Sequence, residues 1–142
     1  MNVLTGLAHT GWYEWYPDYA YDFSGISFSS GDSVQLTVTA SSTTSGTAKI
    51  ENLTTGKTVT KSITSSSALC EEDAEWIVED YEEDGSLVPF ANFGKVTFTS
   101  ASATSGSGSS GPSSATIIDI EQDGSVLTSV STTSNSVTIT YE

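Results

Sequence analysis

Along most of the chain, apolar and polar residues alternate with period two. Residues 33–40 read Ser-Val-Gln-Leu-Thr-Val-Thr-Ala, which puts Val34, Leu36 and Val38 on one face. Residues 57–63, 96–99, 116–121, 125–131 and 136–141 behave similarly. Successive side chains of a strand point to opposite faces, so this alternation predicts half-buried antiparallel strands. It assigns Val34, Leu36, Val38, Ile117, Val126, Val137 and Ile139 to the core. Turn signals separate the runs at Ser30-Gly31-Asp32, Thr44-Ser45-Gly46, Thr55-Gly56, Asp84-Gly85 and Asp123-Gly124, because Gly and Asp accept the backbone angles of tight turns. Strands at this spacing point to an all-β fold, an antiparallel β-sandwich.

Only residues 71–83 are a candidate for a helix, and they fit a strand better. There Glu75, Ile77, Glu79 and Tyr81 fall on one face and Trp76, Val78 and Asp80 on the other. Residues 100–114, rich in Ser and Gly without large apolar side chains, read as a flexible loop inside one domain. The strand patterns on either side are too short to fold alone. The whole chain, 1–142, is expected to form a single domain.

Composition narrows the function. The chain carries 18 Asp and Glu against 4 Lys and no Arg, a formal charge of −14 at pH 7. Such a surface repels nucleic acid and anionic lipid, so neither is an expected partner. Acid relieves the mutual repulsion of the carboxylates, which suits a protein working at low pH, although solubility alone explains the same composition. No run approaches the ~18 apolar residues that would span a bilayer. The first ten residues lack the cationic start and apolar run of a signal peptide. Asn52-Leu53-Thr54 is a glycosylation sequon.

Two constellations carry candidate chemistry. Trp12-Tyr13-Glu14-Trp15-Tyr16, as a strand, places Trp12, Glu14 and Tyr16 on one face and Tyr13 and Trp15 on the other. A carboxylate between aromatic rings suits a groove for an extended peptide or a sugar, and equally an aromatic core strand with an edge carboxylate. In Ala74-Glu75-Trp76-Ile77-Val78-Glu79-Asp80-Tyr81, Glu75 and Glu79 share a side but stand about 13 Å apart at ~3.3 Å per residue, too far to share a proton. A carboxylate among Ile and Trp would be partly desolvated and able to exchange protons in mild acid; a solvated acidic face is the plainer alternative. His9 is the single histidine and Cys70 the single cysteine, and no CxxC or HExxH motif exists. Neither a serine triad, nor a metal site, nor a cofactor is therefore expected.

These motifs, with Asn52-Leu53-Thr54-Thr55-Gly56, Leu87-Val88-Pro89-Phe90-Ala91 and Asp119-Ile120-Glu121-Gln122, resemble in the same order the glutamic peptidases of filamentous fungi, the eqolisins. The resemblance spans residues 11–142. It implies a concanavalin-A-like sandwich and a secreted, acid-acting endopeptidase, monomeric, with polypeptide substrates. It implies that Glu79 is the catalytic general base, with a Gln holding the water and the oxyanion, and that Trp12 and Glu14 bind substrate.

One part of the family pattern is missing. The family's Gln lies upstream in a segment ending Gln-Thr-Gly, where this chain reads Val3-Leu4-Thr5-Gly6. Residues 1–10 diverge, and the chain reads as N-terminally truncated or as one piece of a two-chain enzyme, inactive alone. In the family, a Cys at the place of Cys70 pairs with one in the missing segment. The alternative is a non-catalytic, lectin-like sandwich binding peptide or carbohydrate in an aromatic groove.

Overall fold

The computed structural model describes residues 10–142, so the expectations placed on Leu4, Gly6 and His9 lie outside the described residues. The chain forms two compact units, one ending at Asp73 and the other Ala74–Glu142. Every strand pairing in both is antiparallel.

The first unit holds a short pair, β1 (Trp12–Tyr13) and β2 (Tyr21–Asp22), and a three-stranded sheet of β3 (Val34–Ser42), β4 (Ser45–Asn52) and β5 (Lys57–Thr64) in sequence order. β4 lies in the middle and alternates between half-buried and buried residues. Its register sets Leu36 opposite Ile50 and Val38 opposite Ala48, with Val59 beyond Ile50. Phe23, Ala48 and Ile50 form the core, and Tyr13, Ile26, Phe28, Val34, Val59 and Ile63 pack against them. Burying Ile50, 1% exposed, stabilises the unit by about 2–3 kcal/mol.

The second unit contains three hairpins: β6 (Glu82–Glu83) with β7 (Ser86–Leu87), β9 (Ala103–Ser105) with β10 (Gly108–Ser110), and β11 (Glu121–Gln122) with β12 (Ser125–Val126). A three-stranded sheet places β14 (Ser136–Tyr141) between β13 (Thr128–Thr132) and β8 (Lys95–Thr99). Val137 and Ile139 are buried in its centre, and the register sets Ile139 against both Val130 and Val96. At the end of β14 the Tyr141 ring stacks on Phe90 at 5.8 Å and meets Phe93 edge-on at 6.0 Å. Asp84-Gly85 and Asp123-Gly124 turn with both residues at positive φ, the turn that closes a two-residue hairpin.

The period-two reading therefore gives the fold class and most strand positions, but four of its core residues are exposed: Leu36 (51%), Val38 (86%), Ile117 (47%) and Val126 (56%). Alternation assigns a residue to a face without saying whether that face is covered. Leu36 and Val38 sit on the face that carries Ile50 and Ala48, but of β3 only Val34 packs against the core, and further along the strand that face is uncovered. Ile117 belongs to residues 115–120, which have no ladder partner, in place of the strand expected over 116–121. The loop expected at 100–114 contains the β9–β10 hairpin and a 3-10 turn, Pro112–Ser114. Gly46 is not a turn glycine. It lies buried in β4, where an added Cβ would come within 2.5 Å of the Thr39 carbonyl oxygen, so it serves close approach of backbones.

Candidate active site

Residues 70–81 have no ladder partner and no helix. Their burial nevertheless alternates as the sequence leads one to expect. Trp76, Val78 and Asp80 are half-buried, and Glu75, Ile77, Glu79 and Tyr81 are exposed. Glu79 thus stands outward between two inward-turned neighbours. The desolvation expected for it is not seen, because the exposed side of the segment has no apolar cover. Among the described residues no hydrogen bond or ion pair engages its carboxylate.

The inward side of the same segment is tied down. Gln122 Nε2 donates to both carboxylate oxygens of Asp80, each at 3.0 Å. Gln122 sits at the end of β11, beside the Asp123-Gly124 turn. Downstream, the Val88 amide donates to the Tyr81 carbonyl at 3.2 Å as the β6–β7 hairpin closes. Nearby, the Thr128 hydroxyl, 2% exposed, accepts from the Ile120 amide at 2.8 Å and donates to Asp119 at 3.4 Å. In the sequence Gln122 stands only within a motif, which does not reveal its link to Asp80. The available signal was that both residues belong to motifs carrying the family likeness.

In the first unit, Trp12 pairs with Asp22 and Tyr13 with Tyr21. Tyr13 turns inward, its ring 4.8 Å from Phe23. Trp15 is buried and donates its indole N–H to the Ser67 carbonyl at 2.9 Å. Trp12 is 40% exposed, Tyr16 84%, and Glu14 is exposed. The strand alternation therefore presents Trp12, Glu14 and Tyr16 outward, although the ladder ends at Tyr13. The turn that follows contains a cis Tyr16–Pro17 peptide and is closed by the Asp18 amide on the Trp15 carbonyl at 2.7 Å.

Among the described residues no group of three or more His, Cys, Asp or Glu is placed to hold a metal ion, and no helix is long and apolar enough to cross a membrane. Cys70 is exposed with a free thiol. Gln35, the only other glutamine, is exposed on β3.

The profile of the Peptidase A4 family matches residues 3–141. Aspergillopepsin-2 of Aspergillus niger is 60% identical over 136 residues, which cover 94% of this chain and 48% of that protein. The chain thus spans about half the length of this relative. The crystal structure of aspergilloglutamic peptidase from Aspergillus niger superposes with a TM-score of 0.86 at 61% identity, over 92% of this chain and 78% of the solved one. Scytalido-glutamic peptidase, solved with a transition state analog inhibitor, gives a TM-score of 0.86 at 44% identity, over 92% and 68% of the respective chains. At these identities the likeness carries the antiparallel β-sandwich class that the sequence pattern points to.

Proposed function

The chain belongs to the Peptidase A4 family, the glutamic peptidases, and on that premise we propose that it supplies, through Glu79, the general base of an acid-acting endopeptidase. The observation that carries this reading is the outward position of Glu79 between the inward-turned Val78 and Asp80, which leaves its carboxylate open to a substrate and a water. A carboxylate so placed takes the proton of the water as it attacks the peptide carbon, and afterwards returns it to the leaving amine. Trp12 on β1 and Glu14 just beyond it, both exposed, contact the polypeptide substrate.

The oxyanion formed in that attack needs a donor, and neither glutamine of this sequence is suited to supply one. Gln122 gives its amide to Asp80, and Gln35 stands exposed on β3. The donor comes instead from the Gln-Thr-Gly segment that the family carries upstream, to which the exposed Cys70 can bond. Losing one such donor typically costs about 10²–10³ in rate, so these 142 residues alone turn over little or no substrate. The enzyme assembled with that segment works outside the cell.

The test is cleavage of an unfolded protein near pH 4. The chain alone is expected to be almost inactive, and Leu4→Gln not to rescue it, since only five residues separate Gly6 from Trp12. Supplying the upstream segment restores turnover, and Glu79→Gln abolishes it again. Robust turnover by the chain alone, lost on Glu79→Gln, would show the catalytic pair to be complete within this sequence. Turnover that survives Glu79→Gln removes Glu79 from the role.

One observation favours a second reading, a non-catalytic module binding peptide or carbohydrate. Trp12, Tyr16, Tyr19 and Tyr21 of the first unit all expose their rings, Tyr19 to 83%. Retention on an oligosaccharide column, lost on Trp12→Ala and unaffected by Glu79→Gln, separates it from the first.

A further inference from the structure

We propose that Gln122 is a positioning residue for Glu79, acting through Asp80; the inference rests on Glu79 being the base. The segment that carries Glu79 has no ladder hydrogen bonds over residues 70–81, so it lacks the ordinary device that fixes a strand. Side chains hold it instead. Trp76 and Val78 are only half-buried, and apolar contact is non-directional, so they set depth better than rotation or register. The directional contact is the one at Asp80, where a single N–H₂ group reaches both carboxylate oxygens at 3.0 Å. Hydrogen bonds to an ionised acceptor are roughly twice as strong as neutral ones, and they fix orientation.

The other end of the link is anchored. Gln122 pairs with Ser125 across β11 and β12, the Asp123-Gly124 turn closes that hairpin, and the Leu127 amide bonds the Ile120 carbonyl at 2.8 Å just beyond it. Asp80 and Glu79 are adjacent, and their burial shows them turned to opposite sides. Rotation of the backbone that swings Asp80 away from Gln122 therefore swings Glu79 by a similar angle. Small losses of alignment at a reacting group cost far more in rate than in binding. An amide also suits an enzyme of acid, since it donates at every pH without titrating.

The test uses isosteric variants, which keep the volume of the site. Gln122→Glu sets two carboxyl groups against each other. Asp80→Asn leaves two amides with one usable contact. The double variant restores a donor and an acceptor with their places exchanged. Backbone order parameters of residues 77–81, measured by NMR relaxation without substrate, are expected to fall from about 0.85 to below about 0.6 in Gln122→Glu and to return toward wild type in the double variant. The amides of β3, β4 and β5 stay unchanged.

In a preparation that cleaves protein, the single variants are expected to lower kcat by about tenfold with KM within about twofold, and the double variant to recover most of the loss. A purely structural role would lower the melting temperature without that split. Unchanged order parameters in both single variants, or a double variant no better than either single, overturns the proposal. Cleavage that survives Glu79→Gln overturns the assignment beneath it, and that outcome is distinguishable because the order-parameter measurement needs no turnover.

Discussion

Asn52 donates its side-chain amide to Asp32 Oδ2 at 2.8 Å and to the Ser27 carbonyl at 3.1 Å. Its own oxygen accepts from the backbone amides of Thr54 and Thr55 at 3.1 and 3.0 Å. Two donors and two lone pairs are all that an asparagine side chain offers, and every one is used in a side chain with 0% exposure. The end of β4, the turn after it and the loop before β3 are joined through this one group. Asn52→Ala removes these four hydrogen bonds together, while Asp32 keeps the Ser29 amide at 2.8 Å, and is expected to cost about 3 kcal/mol. Urea denaturation should show a lower midpoint with an unchanged slope.

The same burial decides whether the sequon is used. Attaching a sugar requires the Asn52 amide nitrogen, and both of its hydrogens are spent inside the fold. The folded chain made in a glycosylating host is expected to carry no glycan at Asn52, as intact-mass measurement would show. A glycan confined to misfolded material fits this expectation, and one on the compact, soluble fraction contradicts it.

Period two made strands such as β14 legible, because it buries one face in the usual way and writes that into alternate residues. β4 alternates too but does not stand out in the sequence, since its buried face carries the small Gly46 and Ala48 and the polar Asn52 beside Ile50. The Asp-Gly turns were legible because only a few residue types accept positive φ at both positions. Coverage was not legible. Leu36 and Val38 follow the alternation as faithfully as Ile50 and Ala48, and what separates them is their place in the sheet, which is a tertiary matter. At the candidate site, the split of Glu79 and Asp80 to opposite faces followed from the sequence, but not which of the two faces is open. The Asp80–Gln122 link did not, since it joins residues 42 apart and neither side chain betrays its partner by type.

Acid should stabilise the fold. A compact chain holds its like charges closer than an unfolded one, so protonating carboxylates relieves more repulsion in the folded state. Among the described residues the only ion pair is Lys49–Glu51 at 2.6 Å. It is partly exposed and worth under about 1 kcal/mol, too little to reverse the sign. Thermal melts are expected to give a higher midpoint near pH 4 than at pH 8. Added salt should raise the pH 8 midpoint by screening. A clearly higher midpoint at pH 8 contradicts this.

Two glycines close in sequence should respond in opposite ways to a methyl group. A Cβ on Gly111 would come within 1.8 Å of the Ser134 carbonyl oxygen, whereas one on Gly106 meets nothing within 4 Å. Gly111→Ala is expected to cost about 2 kcal/mol or more, because backbone must move. Gly106→Ala should be neutral within about 0.5 kcal/mol. Chemical denaturation of the two variants side by side checks both.

The outer strand β3 has one further consequence, which concerns many molecules rather than one. Among the described residues β3 has a ladder partner on one side only. Its nine residues include no charge and no proline, whereas β5, on the opposite flank, carries Lys57 and Lys61. An uncharged, strand-prone edge is a template onto which a second chain can add. At neutral pH the formal charge of −14 keeps copies apart; in acid that guard is lowered while each molecule becomes sturdier. Light scattering of a concentrated solution should therefore rise near pH 4, and Val38→Lys should suppress the rise. Acid, on this account, sets conformational and colloidal stability against each other, and the best storage pH lies above the pH at which the single molecule is hardest to unfold.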